Sequence, residues 1–249
     1  MNIAVLVKLV PDTAASIRLT PEKDWIETRD LNWVLNPYDE YAVEEALKLS
    51  GERGGEVTVI TFGREQAKEA LRKALAMGAH KAVHVQKEEY TDLLGTAAAI
   101  ADILRGKGFD LVFAGFKAAD DDCAAIGAMV ATLLEIPCIT EVVELEVGEG
   151  SLRAKREIEG GTEIYEAPLP CLITAQKGLN EPRYPSLKGI MMAKKKPIEV
   201  LEAAPAEARV ETLRMSYPPE RPPGKIVGEG VEAVGELVRL LREEAKVID

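Results

Sequence analysis

The sequence predicts an α/β fold in which helices cover both faces of a doubly wound, mostly parallel sheet. Short apolar runs alternate with segments of helical periodicity, which is the pattern of repeated strand–helix units. The runs are apolar on both faces, as strands inside a parallel sheet are. A length of 249 residues is also enough to bury one large core.

The first elements are marked by an apolar run and by a proline. Residues 3–7 form a continuous apolar strand, and residues 9–36 then make a long loop or hairpin. A helix begins at Asn36-Pro37 and runs to Ser50, with acidic residues in its first turn, where the helix dipole favours them. Residues 57–62 are predicted as the next strand.

The same alternation continues through the middle of the chain. Residues 66–77 are predicted as a helix because their apolar positions recur at helical spacing, and Gly78 stands where a C-terminal glycine cap belongs. Residues 81–85 and 111–114 are predicted strands. Between them, an apolar helical face runs over residues 93–104.

The second half of the chain first continues this pattern and then changes. A helix is predicted over residues 123–134 and a strand from Cys138. Residues 141–145 and 152–158 alternate around a turn rich in glycine, which predicts an added antiparallel hairpin. Residues 171–176 supply one more buried strand.

The C-terminal part is predicted to form an arm. Residues 201–228 are rich in Pro, Ala and Glu, as extended segments often are. The apolar face of a terminal amphipathic helix follows at Val234, Leu237, Val238 and Leu241. We expect a domain over residues 1–200 and an arm over residues 201–249 that packs either on a partner or on its own domain.

Composition argues against several classes of function. Aromatic residues make up only 5% and the net charge is −11, which argues against nucleic-acid binding. No run approaches the roughly 18 apolar residues of a membrane span, and no leader is expected, because the chain enters directly into a strand. The cysteines are widely spaced, without metal-ligand company, so we expect a reduced, metal-free, cytoplasmic protein.

Candidate binding residues lie where the parallel strands are predicted to end. Open α/β sheets bind ligands at this edge, near a topological switch point. The edge would carry Lys8, residues 36–39, residues 62–63 and the segment 115–127, which leads through a loop to a helix N-terminus suited to a phosphate. Neither G-x-x-x-x-G-K-[ST] nor G-x-G-x-x-G is present, so NTPase and NAD chemistry are unsupported.

Three consecutive carboxylates in that segment, Asp120, Asp121 and Asp122, leave two interpretations open. They can accept hydrogen bonds from ribose hydroxyls, or they can serve the following helix alone, by capping it or by interacting with its dipole. Because they would repel a polyphosphate, they favour a nucleotide with few phosphates. No Ser-His-Asp set, Cys-His pair or acid–base dyad stands out, so hydrolytic or metal catalysis has little to work with.

The segment 179–197 also allows two interpretations. Pro182 and Pro185 exclude regular structure in its first half. The apolar residues that follow suit one short helical turn and are Leu187, Ile190, Met191 and Met192. Three lysines, Lys194 to Lys196, come next. An apolar knob beside a basic patch suits docking of a partner protein, whereas composition alone favours a surface loop with solvated lysines.

Several motifs, taken in order, resemble the electron transfer flavoprotein family, in particular its beta subunits. In the second half these motifs are Arg156-Glu157-Ile158-Glu159-Gly160-Gly161, Leu169-Pro170, Leu179-Asn180-Glu181-Pro182-Arg183-Tyr184 and Ala193-Lys194-Lys195-Lys196. In the first half they are Val7-Lys8, Asn36-Pro37, Ala74-Leu75-Ala76-Met77-Gly78-Ala79 and Asp120-Asp121-Asp122-Cys123. The resemblance covers nearly the whole chain and implies an adenine-nucleotide-binding fold of flavodoxin-like strand order.

The resemblance implies an electron carrier without catalytic residues of its own. An alpha subunit would hold most of one FAD, and the present chain would bind AMP. Electrons would pass from dehydrogenases, such as those of fatty acid oxidation, to the flavin and on to a membrane quinone oxidoreductase. The cofactor-binding residues carried over from the family are Leu6, Val7, Lys8, Asn36, Pro37, Tyr38, Asp39, Phe62, Gly63, Lys117, Ala118, Ala119, Asp120, Asp121, Asp122, Cys123, Ala124, Ala125, Ile126, Gly127 and Ala128.

The resemblance also implies roles in partner binding. Tyr38 stands where the family often places an aromatic residue near the flavin, and Glu157 matches a glutamate at the subunit interface. Leu187 matches the residue that anchors in a dehydrogenase pocket. The residues implied in partner binding are Glu157, Leu187, Ile190, Met191, Met192, Lys194, Lys195 and Lys196.

Two alternatives stay open. A related branch of the family bifurcates electrons and holds a second FAD in place of AMP. Its loop usually resembles Asp-Gly-Asp-Thr, so Asp121 here favours the AMP-binding branch. The alternative of another class is a free-standing ATP-binding regulatory module of the stress-protein type, which shares the α/β architecture.

Overall fold

The computed structural model describes residues 1–89, 91–204, 208–220 and 223–248. They form two compact units, Met1–Arg214 and Met215–Asp249. The first unit contains a nine-stranded, mostly parallel sheet and a separate two-stranded antiparallel ribbon, so the predicted α/β class is confirmed. None of the helices within the described ranges is long and apolar enough to cross a membrane.

The strands and helices alternate as the sequence pattern indicated. The strands are β1 (Asn2–Leu6), β2 (Leu9–Pro11), β3 (Trp33–Leu35), β4 (Glu56–Gly63), β5 (Lys81–Gln86), β6 (Leu111–Gly115), β7 (Cys138–Val147), β8 (Ser151–Ile158), β9 (Gly161–Pro168), β10 (Cys171–Ala175) and β11 (Glu199–Glu202). The helices are α1 (Pro37–Arg53), α2 (Lys68–Met77), α3 (Leu93–Leu104), α4 (Ile126–Leu134), α5 (Leu187–Lys195) and α6 (Val234–Glu243).

The order of strands across the sheet is β11-β5-β4-β1-β6-β10-β7-β8-β9. Neighbours from β11 to β7 pair in parallel, and β8 and β9 extend the sheet in antiparallel fashion. This order differs from the flavodoxin-like order that we expected. In a flavodoxin-like sheet the chain reverses after its second strand, whereas here it passes from β1 through β4 to β5 before it crosses back to β6. The switch point therefore lies between β1 and β6.

The continuous apolar run of β1 has a direct structural cause. Successive side chains of a strand point to opposite faces of the sheet. Ile3 and Val5 enter the core that α1 and α2 cover, and Ala4 and Leu6 enter the core that α3 and α4 cover. Both cores are needed to bury this strand, which places β1 at the centre of the first unit.

Several elements differ from their predictions. Helix α4 begins at Ile126 and not at Cys123, because Asp122 and Ala124 have φ angles of 52° and 50°, in the left-handed region that ends or precedes a helix. Strand β9, which pairs with β8, was not predicted. Helix α5 has nine residues and not a single turn, since Ser186 caps it by accepting a hydrogen bond from the Gly189 N–H.

The end of the chain contains the predicted terminal helix, α6. Arg239 forms ion pairs with Glu236 and Glu243 on its polar side. Three residues of the predicted apolar face, Val234, Leu237 and Val238, are exposed. Strand β11 pairs with β5 at the sheet edge, so regular structure continues past residue 200, and the predicted boundary at that residue stays a prediction.

Candidate functional site

The predicted binding residues meet where β1 and β6 end, at the switch point of the sheet. Lys8 follows β1, Gly115 ends β6, and the first turn of α1 lies against both. The approach is close, because a Cβ atom added to Gly115 would lie 2.3 Å from Asp39 Oδ1 and 2.8 Å from the carbonyl carbon of Tyr38. Glycine at this position therefore allows α1 to reach the sheet edge.

Asp39 is the hub of this edge. Its carboxylate accepts hydrogen bonds from the backbone N–H of Lys8 (2.7 Å) and of Gly115 (3.1 Å), and from the Asn36 side-chain amide (2.8 Å). Burial raises the pKa of Asp39 to about 7, although all three donors act to lower it. The contacts join the ends of two strands to the start of α1 through one side chain.

Asn36 extends the hub to the loop between β6 and α4. Its Nδ2 donates to the carbonyl of Lys117 at 2.9 Å, and its Oδ1 accepts from the Ala119 N–H at 3.1 Å. Asn36 is buried, so these bonds replace contacts that its amide would make with water. The residue that starts the predicted helix thus also fixes the predicted nucleotide loop.

The three consecutive carboxylates are paired with two lysines. Lys8 Nζ lies 2.8 Å from Asp120 Oδ1 and 2.8 Å from Asp121 Oδ2, and Lys117 Nζ lies 2.9 Å from Asp122 Oδ1. Burial acts to lower the pKa of Lys8, but the two neighbouring carboxylates raise it above its ordinary value. The negative charge that would repel a phosphate is largely offset within the loop.

None of these carboxylates caps α4. The N-cap residue is Ala125, and its side chain makes no capping hydrogen bond. Asp121 Oδ1 instead accepts the N–H of Cys123, within the loop. The capping interpretation is therefore wrong, and the first turn of α4 keeps backbone donors without a side-chain acceptor. Such donors at a helix N-terminus suit an anion.

The remaining predicted cofactor residues border this edge in different ways. The Tyr38 ring contacts Phe116 edge-on, with centroids 4.6 Å apart, and Lys117 Nζ lies 5.9 Å from the Tyr38 ring centre. Leu6 and Val7 are buried, so their side chains belong to the core. Phe62 and Gly63 end β4, the neighbour of β1, and the Gly63 carbonyl accepts hydrogen bonds from the Lys87 N–H.

The predicted docking residues from Leu187 to Lys195 lie on α5, and Lys196 is its C-cap. None of them belongs to the elements that form the predicted nucleotide edge. The helix packs on α2 and exposes an apolar surface in which Leu187 is 83% accessible and Met191 is 66% accessible. Ile190 and Met192 are exposed beside them. Lys194 and Lys195 form the last turn of the helix, so the predicted knob and basic patch share one short element.

Polar contacts hold the segment 180–196 to α1, to α2 and to the turn that follows α2. Arg72, on α2, donates to the carbonyl oxygens of Ala193 (2.5 Å) and Lys196 (2.6 Å) at the end of α5. Lys196 Nζ donates to the Ala79 carbonyl at 2.6 Å, so this predicted docking lysine is engaged within the chain. Arg183 and Asn180 make further hydrogen bonds with α1.

Arg183 and Asn180 contact buried carboxylates of α1. Arg183 Nε and Nη2 bind the two oxygens of Glu44 at 2.7 and 2.8 Å, and Asn180 Nδ2 donates to Glu45 at 2.9 Å. Burial opposes ionisation of Glu44, but the hydrogen bonds and charge of Arg183 lower its pKa below the ordinary value. The segment before α5 is thus fixed by charge-assisted hydrogen bonds.

Comparison with known proteins agrees with this geometry. Residues 24–206 match the family model of the electron transfer flavoprotein domain. The chain belongs to the electron transfer flavoprotein family. It is 42% identical over 259 residues to electron transfer flavoprotein subunit beta of Bacillus subtilis, with 100% of both chains covered. It is 35% identical over 252 residues to the subunit of the same name from Homo sapiens, with 99% of each chain covered.

The family match confirms the resemblance that the sequence motifs indicated. A further relative, the subunit beta from Syntrophomonas wolfei, is 39% identical over 252 residues and covers 99% of each chain. As a member of a flavoprotein family the chain is a component of an electron transfer system. Glu157, predicted at the subunit interface, is exposed on β8 and pairs across the sheet with Thr162 of β9.

Three residues that hold the segment 179–197 in place were not predicted from the sequence. Arg72, Glu44 and Glu45 did not enter the predicted sites, although all three hold the docking segment. A signal was present for the two glutamates, because they stand between the apolar residues Val43 and Ala46 on a face that helical spacing predicts to be partly buried. Arg72 carries no comparable signal in the sequence.

Proposed function

We propose that this chain is the beta subunit of a heterodimeric electron transfer flavoprotein that binds AMP and shares one FAD with an alpha subunit. It accepts electrons from dehydrogenases, such as acyl-CoA dehydrogenases, and passes them to a membrane quinone oxidoreductase. One observation carries the nucleotide part of the proposal: no side chain caps the start of α4, and the three carboxylates before it are paired with two lysines. The full-length likeness to subunits of that name supports the rest.

The donor set of the edge fits a nucleotide monophosphate. Backbone N–H groups of the first turn of α4 would bind one phosphate, and the partly exposed Asp120 and Asp121 would accept hydrogen bonds from ribose hydroxyls. Asp121 also supports AMP over a second FAD, because its carboxylate bonds both Lys8 and the Cys123 N–H. A glycine at this position could make neither contact through a side chain.

The flavin, when bound between the subunits, supplies reversible acceptance and release of electrons. The present chain would contribute binding and orientation. Tyr38, held against Phe116, and the exposed Glu157 are the residues that we assign to the flavin side of the interface. The exposed apolar face of α6 supports the proposal that the C-terminal arm packs on the alpha subunit. No proton-transfer role is assigned to this chain.

The nucleotide content of the assembled protein tests this proposal. The chain is co-purified with its alpha subunit and denatured, and the released nucleotides are identified and counted by mass spectrometry. One FAD and one AMP per heterodimer are expected. Two FAD without AMP would replace the proposal by the bifurcating alternative, and a stable homodimer that releases ATP would replace it by the regulatory module.

The docking role of α5 is tested separately, with Leu187→Ala. Its side chain is 83% exposed, so removing it leaves the core of the chain intact. We expect the variant heterodimer to keep its FAD and AMP but to accept electrons from a reduced acyl-CoA dehydrogenase at least about tenfold less efficiently, because a central apolar anchor carries much of the energy of an interface. Undiminished transfer would contradict the assignment.

A further inference from the structure

A pocket of about 620 Å³ opens beside the docking helix and is not part of the nucleotide edge. Its walls come from the end of β3, from α1, α2 and α5, and from the segment 182–185 that precedes α5. The apolar part of the lining consists of Leu35, Tyr41, Ala76, Met77, Ile190 and Ala193. The pocket therefore lies at the base of the exposed knob formed by Leu187 and Met191.

The charges around the pocket are not balanced. Arg72 and Arg183 line it, but their guanidinium groups are engaged with carbonyls at the end of α5 and with Glu44. Lys73 faces Glu40, which supplies the carboxylate of the lining. Burial raises the pKa of Glu40 above its ordinary value, and the charge of Lys73 only partly opposes this shift. The Lys194 side chain forms no hydrogen bond or ion pair within the described residues. The rim thus offers an ammonium group that lacks a counter-charge.

We propose that this chain and the partner dehydrogenase each insert an apolar side chain into the other. Leu187 of α5 enters the dehydrogenase, and this pocket receives an apolar side chain of the dehydrogenase. A carboxylate of the dehydrogenase next to that side chain pairs with Lys194. This inference rests on the docking role given above. An apolar recess beside an unpaired cation is complementary to an apolar residue next to an acidic one. Such a reciprocal contact would fix the register of the complex, which a single exposed knob does not.

Filling the pocket is the first test. Ala76→Leu, on α2, extends an apolar side chain into the recess, and Leu keeps the helix propensity of the site. Ala98→Leu, a similarly half-buried position on α3 that does not line the pocket, is the matched control. The holo heterodimer is titrated against an acyl-CoA dehydrogenase reduced by its substrate, and KM and kcat are measured for the heterodimer as electron acceptor.

We expect Ala76→Leu to raise KM at least about tenfold with kcat unchanged, because the partner's apolar side chain then stays in water and its burial is lost equally from ground and transition states. Ala98→Leu should leave both parameters unchanged. Unaltered FAD and AMP content and unaltered amide exchange of α5 show that the variant has kept its fold.

A charge test does not depend on filling the pocket. Lys194→Glu and Lys195→Glu change the net charge of the same helix end equally, so long-range steering changes alike in both. Of these two lysines, Lys194 lines the pocket and Lys195 does not. We expect the KM of Lys194→Glu to exceed that of Lys195→Glu at least about threefold.

The outcomes separate this inference from the docking role itself. If Leu187→Ala raises KM while Ala76→Leu leaves it unchanged and the two lysine variants behave alike, the pocket receives nothing and the inference is overturned. If Leu187→Ala has no effect either, the docking role of α5 fails as well. A selective effect of Ala76→Leu and Lys194→Glu supports the reciprocal contact.

Discussion

The anchoring of helix α5 by Arg72 can be tested by removing the guanidinium group of Arg72. In Arg72→Ala the carbonyl oxygens of Ala193 and Lys196, now bonded at 2.5 and 2.6 Å, would lose a charged donor. Each hydrogen bond to a charged group contributes about 1.5–3 kcal/mol when buried. Because Arg72 is half-buried and water can replace it in part, we take about 2 kcal/mol for the pair together.

Amide hydrogen exchange of α5 measures this effect directly. A loss of about 2 kcal/mol in the free energy of local opening corresponds to exchange about 30-fold faster, since 1.4 kcal/mol is a factor of ten. Lys73→Ala, the next residue of α2, is the control, because Lys73 donates to the carbonyl of Trp33 and not to α5. Equal exchange of α5 in wild type and Arg72→Ala would refute the reasoning, as would an equal effect of the control.

The other predictions concern the hub and the anchor on α1. Gly115→Ala should destabilise the fold by about 2–3 kcal/mol in urea unfolding, because its Cβ would lie 2.3 Å from an Asp39 oxygen, whereas Gly51→Ala, with open space around it, should stabilise by about 0.5–1 kcal/mol. Folding raises the pKa of Asp39 from 3.8 to about 7, so between these pH values the folded state holds a proton that the unfolded state releases. The resulting contribution to stability is lost as pH rises from about 4 to 7. Asp39→Asn should therefore weaken the pH dependence of the urea unfolding midpoint over this range. The pKa of Glu44 is lowered in the folded state, so the stability that Glu44 contributes is lost as pH falls. Glu44→Gln should lower the free energy of unfolding by about 1–2 kcal/mol at pH 7 and should have no effect well below pH 4. An equal loss at both pH values would refute the pairing with Arg183.

The sequence predicted most strands and helices because their apolar patterns have clear local causes. Pro37 after Asn36 marked the start of α1, and Gly78, with a φ of 133°, marked the end of α2. The start of α4 could not be placed so well. The residue types do not predict that Asp122 and Ala124 adopt a left-handed backbone conformation, because glycine is the residue that usually adopts it.

The candidate residues of the nucleotide edge were predicted from position, and their partners were not. That Lys8, Asn36 and Asp39 stand at one edge follows from the rule that parallel strands end together. That Asp39 is buried under three N–H donors depends on how closely α1 approaches Gly115, which is a property of packing. Likewise, the chain has 42 acidic and 31 basic residues, and composition does not say that Glu44 meets Arg183.

Helix α1 connects the proposed nucleotide site to the proposed docking segment 179–197. Its first turn carries Asp39 in the hub, and the next turns carry Tyr41 and Glu44, which bind Asn180 and Arg183 of the docking segment. Asp39 and Glu44 are five residues apart, or about 7.5 Å along the helix axis at 1.5 Å per residue. A rigid helix keeps this separation fixed, so a nucleotide that orders the hub would also restrict movement at the root of α5. A structural AMP would then help to position α5 for docking without touching the partner. The burial of Glu44 and Glu45 on α1 is explained by the segment before α5 that they hold.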